Sequence, residues 1–100
     1  MSQHIFHTKT ASGEDATVTM GYDRPLDYVF CTVVAENGNI LYSNLDDEHA
    51  GTHQKDVEYF RPVLAKLGFP VPESMYREVV SDQDQRIGNR VLVHRDLSLT

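Results

Sequence analysis

The spacing of apolar residues changes period once along this chain and then changes back, and that alternation limits the folds open to it. "HIFHT" (4–8), "ATVTM" (16–20), "YVFCTVV" (28–34) and "ILYSNL" (40–45) are short runs rich in β-branched and aromatic residues, divided by turn-forming clusters. Runs of this kind are strands. In the second, Ala16, Val18 and Met20 alternate with Thr17 and Thr19, which buries one face and wets the other. The third is apolar on both faces. A central strand looks like this when it is covered on both sides, or on one side with a partner on the other. Asn37-Gly38, between the third and fourth runs, is the strongest hairpin signal in the chain, and a type I′ turn is expected there.

Near residue 57 the period becomes helical: Val57, Phe60, Val63, Leu64 and Leu67 fall on one stripe. Asp56 suits the N-cap, and Gly68 followed by Pro70 suits the stop. Pro62 lacks a backbone donor, so it either kinks this helix or sits in the first turn of a shorter one. Residues 72–85 predict a second helix, with Pro72 at its start and Met75 and Val79 stacked one turn apart. "RVLVH" (90–94) follows Gly88-Asn89 as a last strand with Val91 and Val93 on one face. The order β-β-β-β-α-α-β predicts an α+β fold, an antiparallel sheet of about five strands with two helices packed on one face. At 100 residues the chain has room for one domain, 1–100, and one core.

Composition narrows the function classes. Hydrophobic residues at 40% and charged residues at 24% are ordinary globular usage, which excludes wholesale disorder. No run approaches the roughly 18 apolar residues of a membrane span. The opening "MSQHIFHTKT" lacks the basic and apolar regions of a signal peptide, and Cys31 is the single cysteine, so a cytoplasmic address is expected. The formal net charge of −6 sits in residues 1–50, where eight acids face only Lys9 and Arg24. That half repels a phosphate backbone and makes nucleic acid an unfavourable partner. Arg86, Arg90 and Arg95 are expected to pair at the surface with Asp82, Asp84 and Asp96 rather than to hold RNA bases.

The usual warrants for catalysis are missing. There is no Gly-x-Ser-x-Gly elbow, no phosphate-cradling loop and no His-Glu-x-x-His. Cys31 lies in the most apolar run, where a thiol is an inert small hydrophobe. No cofactor signature is present. "NLDDEHAGTHQKD" (44–56) gathers Asp46, Asp47, Glu48, His49, His53 and Asp56, and His49 and His53 are four apart, the spacing of two ligands on one helix face. Gly51-Thr52 weakens that helix. As a calcium loop the segment places Ala50 fifth and Val57 twelfth, where oxygen ligands are needed. A divalent-metal site on Asp46, His49 and His53 is therefore the alternative reading. His4 and His7 are three apart on a strand and point to opposite faces.

"MGYDRPLD" (20–27) is the remaining feature. Pro25 stiffens it and Gly21 allows a bend after the second strand, so Tyr22, Asp23 and Arg24 are candidates for display to a partner. The competing reading is internal, with Asp23 capping the turn and Tyr22 covering the core edge. In a meander the loops after strands two and four emerge at the same end, which brings Tyr22, Asp23 and Arg24 beside Asp46, Asp47 and Glu48. The leading expectation is a non-catalytic module that binds a protein partner of unknown identity, or a second copy of itself. A third reading is an inhibitor that mimics nucleic acid with its acidic half.

"GYDRPL", "LYSNLDD" and "GNRVLVH" together resemble a group of small uncharacterised bacterial proteins whose second strand ends in Gly-aromatic-Asp-Arg-Pro-Leu. The resemblance implies that residues 21–26 and 42–47 define the group. It brings no activity, cofactor or catalytic residue.

Overall fold

The computed structural model describes residues 2–10, 13–25, 28–44 and 57–94. Their strands are β1 (Ser2–Lys9), β2 (Asp15–Asp23), β3 (Tyr28–Ala35), β4 (Ile40–Ser43) and β5 (Arg90–His94). Between β4 and β5 lie the helices α1 (Val57–Leu67) and α2 (Glu73–Gln85). The fold is α+β with five strands in the order β4-β3-β2-β1-β5. β1 to β4 form an antiparallel meander, but β5 runs parallel to β1, so the sheet is mixed rather than antiparallel throughout. Connectivity explains the difference. Three hairpins leave β4 pointing back towards the end where β1 begins. The two helices carry the chain from one sheet edge to the other, and β5 starts again from that end.

The strand alternation behaves as its period requires. Phe6, Ala16, Val18, Met20, Val29, Cys31 and Val33 share the face on which Val57, Phe60, Leu64, Phe69, Met75, Tyr76 and Val79 of the helical layer pack. The opposite face carries Ile5, Thr17, Thr19, Phe30, Thr32 and Val34, all half-buried. α1 continues through Pro62, which faces solvent in the middle of the helix rather than in its first turn. Its end is a Schellman cap, in which Gly68 N–H donates to Ala65 and Phe69 N–H to Leu64, both at 3.0 Å. α2 ends the same way, with Arg86 in the left-handed conformation at φ 51°. Among the described residues no helix is long and apolar enough to cross a membrane.

Two turn expectations are corrected. The β3–β4 hairpin is not a two-residue I′ turn, because only Gly38 takes a positive φ, 90°. Gly38 N–H donates to Ala35 C=O at 2.9 Å and Ala35 N–H to Asn39 C=O at 2.8 Å, the pattern of a three-residue loop closed by a left-handed Gly. Asn37 instead accepts the Asn39 N–H through its side chain. The second correction concerns Gly21, which is no bend. β2 runs on through Tyr22 and Asp23, pairing with Val29 and Tyr28.

Gly21 serves a different purpose, the close approach of two backbones. A Cβ there would overlap the Ser2 carbonyl and stand 2.9 Å from Phe30 Cζ. The first residue of β1 can therefore lie over β2 only because position 21 has no side chain. Gly21→Ala is expected to lower stability by about 2 kcal/mol or more, since backbone must move. Urea unfolding followed by circular dichroism measures the loss.

Candidate functional site

The chemistry-bearing side chains meet where β1, β5 and α2 come together. His4 shares the alternation of Ser2 and Phe6 and so points under the helices, where it is fully buried. The parallel register sets Ser2 beside Arg90, His4 beside Leu92 and Phe6 beside His94. Arg90 and His94 thus flank His4 on the same face. From above, α2 contributes Asp82, two turns beyond Met75 on the stripe that also buries Val79. His7, on the other parity, is exposed as its spacing from His4 predicts.

The result is a continuous chain of hydrogen bonds. His4 Nε2 donates to Asp82 Oδ2 at 2.6 Å, and His4 Nδ1 lies 2.9 Å from His94 Nε2. Arg90 Nη1 donates to Asp82 Oδ1 at 2.8 Å, and Arg90 Nη2 pairs with Glu78 at 2.9 Å. Ser2 completes the cluster. Its hydroxyl bonds to Asp82 and accepts the Tyr22 N–H at 3.0 Å. No buried side-chain nitrogen or oxygen among the described residues lacks a partner.

These contacts set the protonation states. Burial by itself would raise the Asp82 carboxyl, but hydrogen bonds from His4, Ser2 and Arg90 outweigh it and hold the group below its ordinary value of 3.8. Asp82 therefore carries a full negative charge at neutral pH. His94 moves the other way. Burial, then the neighbouring His4, disfavour its charged form, Glu78 favours it and Arg90 adds to the lowering. Cys31 is fully buried and its thiol is pushed up to about 12, which leaves no thiolate for nucleophilic work.

Of the three residues proposed for display, Tyr22 and Asp23 are buried and Arg24 is exposed. Tyr22 cannot serve as an exposed anchor, because β2 extends through it and its alternation matches that of Met20 on the core face. The Arg24 guanidinium lies against the α2–β5 connection at Gly88. Asp46, Asp47, Glu48, His49 and His53 lie outside the described residues, so the proposed acidic surface and the metal reading both fall there. Among the described residues no group of three or more His, Cys, Asp or Glu side chains is arranged to hold a metal ion. An open groove of about 850 Å³ lies at the hairpin end of β1 and β2, beside Lys9, Asp15, Glu36 and Pro70. Lys9 is engaged there by Asp15 at 2.7 Å, and on the same lining the exposed His7 Nδ1 lies 3.2 Å from the Thr17 hydroxyl.

The Arg90–Asp82 pair expected at the surface forms, but Asp82 is fully buried. Nothing in the local pattern brings His4 and His94 together. One signal was available, since an acid three residues beyond Val79 and seven beyond Met75 interrupts an apolar stripe. No protein-family model, no curated protein and no solved structure matches the chain.

This geometry carries two expected outcomes. Asp82→Ala leaves Arg90 and His4 without their acceptor and is expected to cost about 3–5 kcal/mol in urea unfolding. Arg24→Ala, at an exposed position, is expected to shift stability by no more than about 0.5 kcal/mol in the same measurement.

Proposed function

We propose that the protein is a cytoplasmic, non-catalytic interaction module that self-associates through β5. One observation carries this reading. Among the described residues β5 is the last strand of the sheet on its side, and its residues Val91, Leu92 and Val93 are 65, 36 and 54% exposed. Sheet edges that stay unpaired are usually blunted by charge, Pro or bulges, and this one is apolar at its centre. The opposite edge strand, β4, carries such a bulge where its register with β3 shifts.

The pattern on β5 is complementary to itself. Two copies paired antiparallel about Leu92 set Val91 of one opposite Val93 of the other and Leu92 opposite its own twin. Both valines lie on the helix-free face, continuous with Ile5 of β1, so the pairing extends an existing apolar strip. Backbone bonding supplies register and the valines supply burial, as in strand addition. An edge contact of this size is below the area of a permanent dimer, so association is weak. The buried, unpaired Cys31 suits a reducing compartment.

Sedimentation equilibrium up to roughly 100 µM, the range of a weak interface, tests the reading. The wild type is expected to dimerise with concentration, and Val91→Lys combined with Val93→Lys to stay monomeric with an unchanged circular dichroism spectrum. A wild type that is monomeric throughout, or a double variant that still dimerises, overturns it.

A further inference from the structure

β5 is tied to the molecule on its inner side by the His94–His4–Asp82 chain, and the hydrogen bonding of that chain limits how many protons it accepts. His4 Nε2 faces an acceptor, the Asp82 carboxylate, and so always donates. Only the contact between His4 Nδ1 and His94 Nε2 is free to change direction. With both rings neutral, His94 donates and His4 accepts. With one added proton, one ring still donates to the other across this contact. With two, an N–H meets an N–H across 2.9 Å and no acceptor is left between the rings.

Charge counting gives the same limit. Among the described residues, the charged groups packed around the pair are Glu78 and Asp82 from α2 and Arg90 from β5. β1 adds only the Ser2 hydroxyl, and Met20 of β2, paired with His4, is apolar. The surroundings therefore sum to one negative charge, which a single imidazolium neutralises. A second leaves a positive charge in excess within a largely buried site.

We infer that the His4–His94 pair is a one-proton device, and that a second proton releases β5 from β1 and α2. The strand that carries the exposed valines is thereby seated at neutral pH and freed in mild acid. The lowered affinity of His94 for its proton agrees in sign. Between its folded value and its ordinary value of 6.5 the folded chain binds fewer protons than the unfolded chain. The His94 contribution to stability is therefore complete above that ordinary value and lost as pH falls through the folded one. Any effect on dimerisation rests on the self-association reading, whereas release of the strand does not.

The experiment uses full-length Val91→Lys, a background that keeps the two questions apart, and measures backbone amide exchange by NMR at about pH 7.5 and about pH 5. After correction for intrinsic exchange, β5 amides are expected to lose protection about tenfold more than β2 and β3 amides on acidification. In a His94→Gln version, whose amide meets His4 but takes no proton, that difference is expected to vanish. Equal losses in β5, β2 and β3, or an unchanged difference in His94→Gln, overturn the inference. A side-chain 15N titration gives a second readout that needs no substitution at His94. The second imidazole proton is expected to bind only as β5 protection is lost, and a doubly protonated pair beneath a protected β5 overturns the proposal. Failure of self-association shows instead as a wild-type monomer at neutral pH.

Discussion

The Asp82 carboxylate, fully buried on α2, is the side-chain contact that joins the last strand to the helical layer. Removing a carboxylate from water costs several kcal/mol, and hydrogen bonds from His4, Arg90 and Ser2 offset that cost. An apolar cluster of the same volume would hold the layers together at least as firmly. What the polar cluster adds is register. A slip of β5 by one residue would turn Arg90 and His94 to the helix-free face and leave Asp82 and His4 without partners. The parallel pairing of β5 with β1, made by a short edge strand, is thereby fixed by side chains rather than by backbone bonding alone.

That arrangement depends on how closely β1 lies against β2. The Ser2 hydroxyl joins Asp82 to the Tyr22 amide, so it links α2 to β2 through the first residue of β1. The link requires the Ser2 backbone to pass over position 21, which only glycine permits. "MGYD" is therefore a strand end built for close packing, and the turn proper begins at Arg24. Tyr22 stays in the core because it keeps the parity of Val18 and Met20.

Period and punctuation were legible in the sequence, and long-range placement was not. The four early strands, the two helices, the Gly68 stop and the stacking of Met75 on Val79 all arise from local spacing. The I′ turn failed because Asn-Gly also serves a three-residue loop in which Gly alone turns left-handed. The direction of β5 depended on a two-helix crossover whose length leaves strand order open. His4 and His94 are ninety positions apart and share no local pattern, so only the register of β5 on β1 brings them together. Asp82 was half legible. Its pairing with Arg90 could be read from proximity, while its burial depended on which face of α2 meets the sheet.

The two edges of the sheet are held in unlike ways. β4 continues an antiparallel hairpin, and its irregular register spoils it as a template for another strand. Among the described residues β5 pairs with β1 alone and shares no hairpin with it. It arrives from a helix, pairs parallel with β1 and is seated by an ionisable cluster. A strand with those supports has few local contacts to restore it once its side-chain bonds are lost. The same strand presents an apolar edge, as β4 does with Ile40 and Leu41. The proposed association through β5 and the proposed loosening of β5 therefore act on one element in opposite directions. A second copy bound at the outer edge would stabilise the seated strand, and a second proton at the inner edge would weaken the surface that the copy needs.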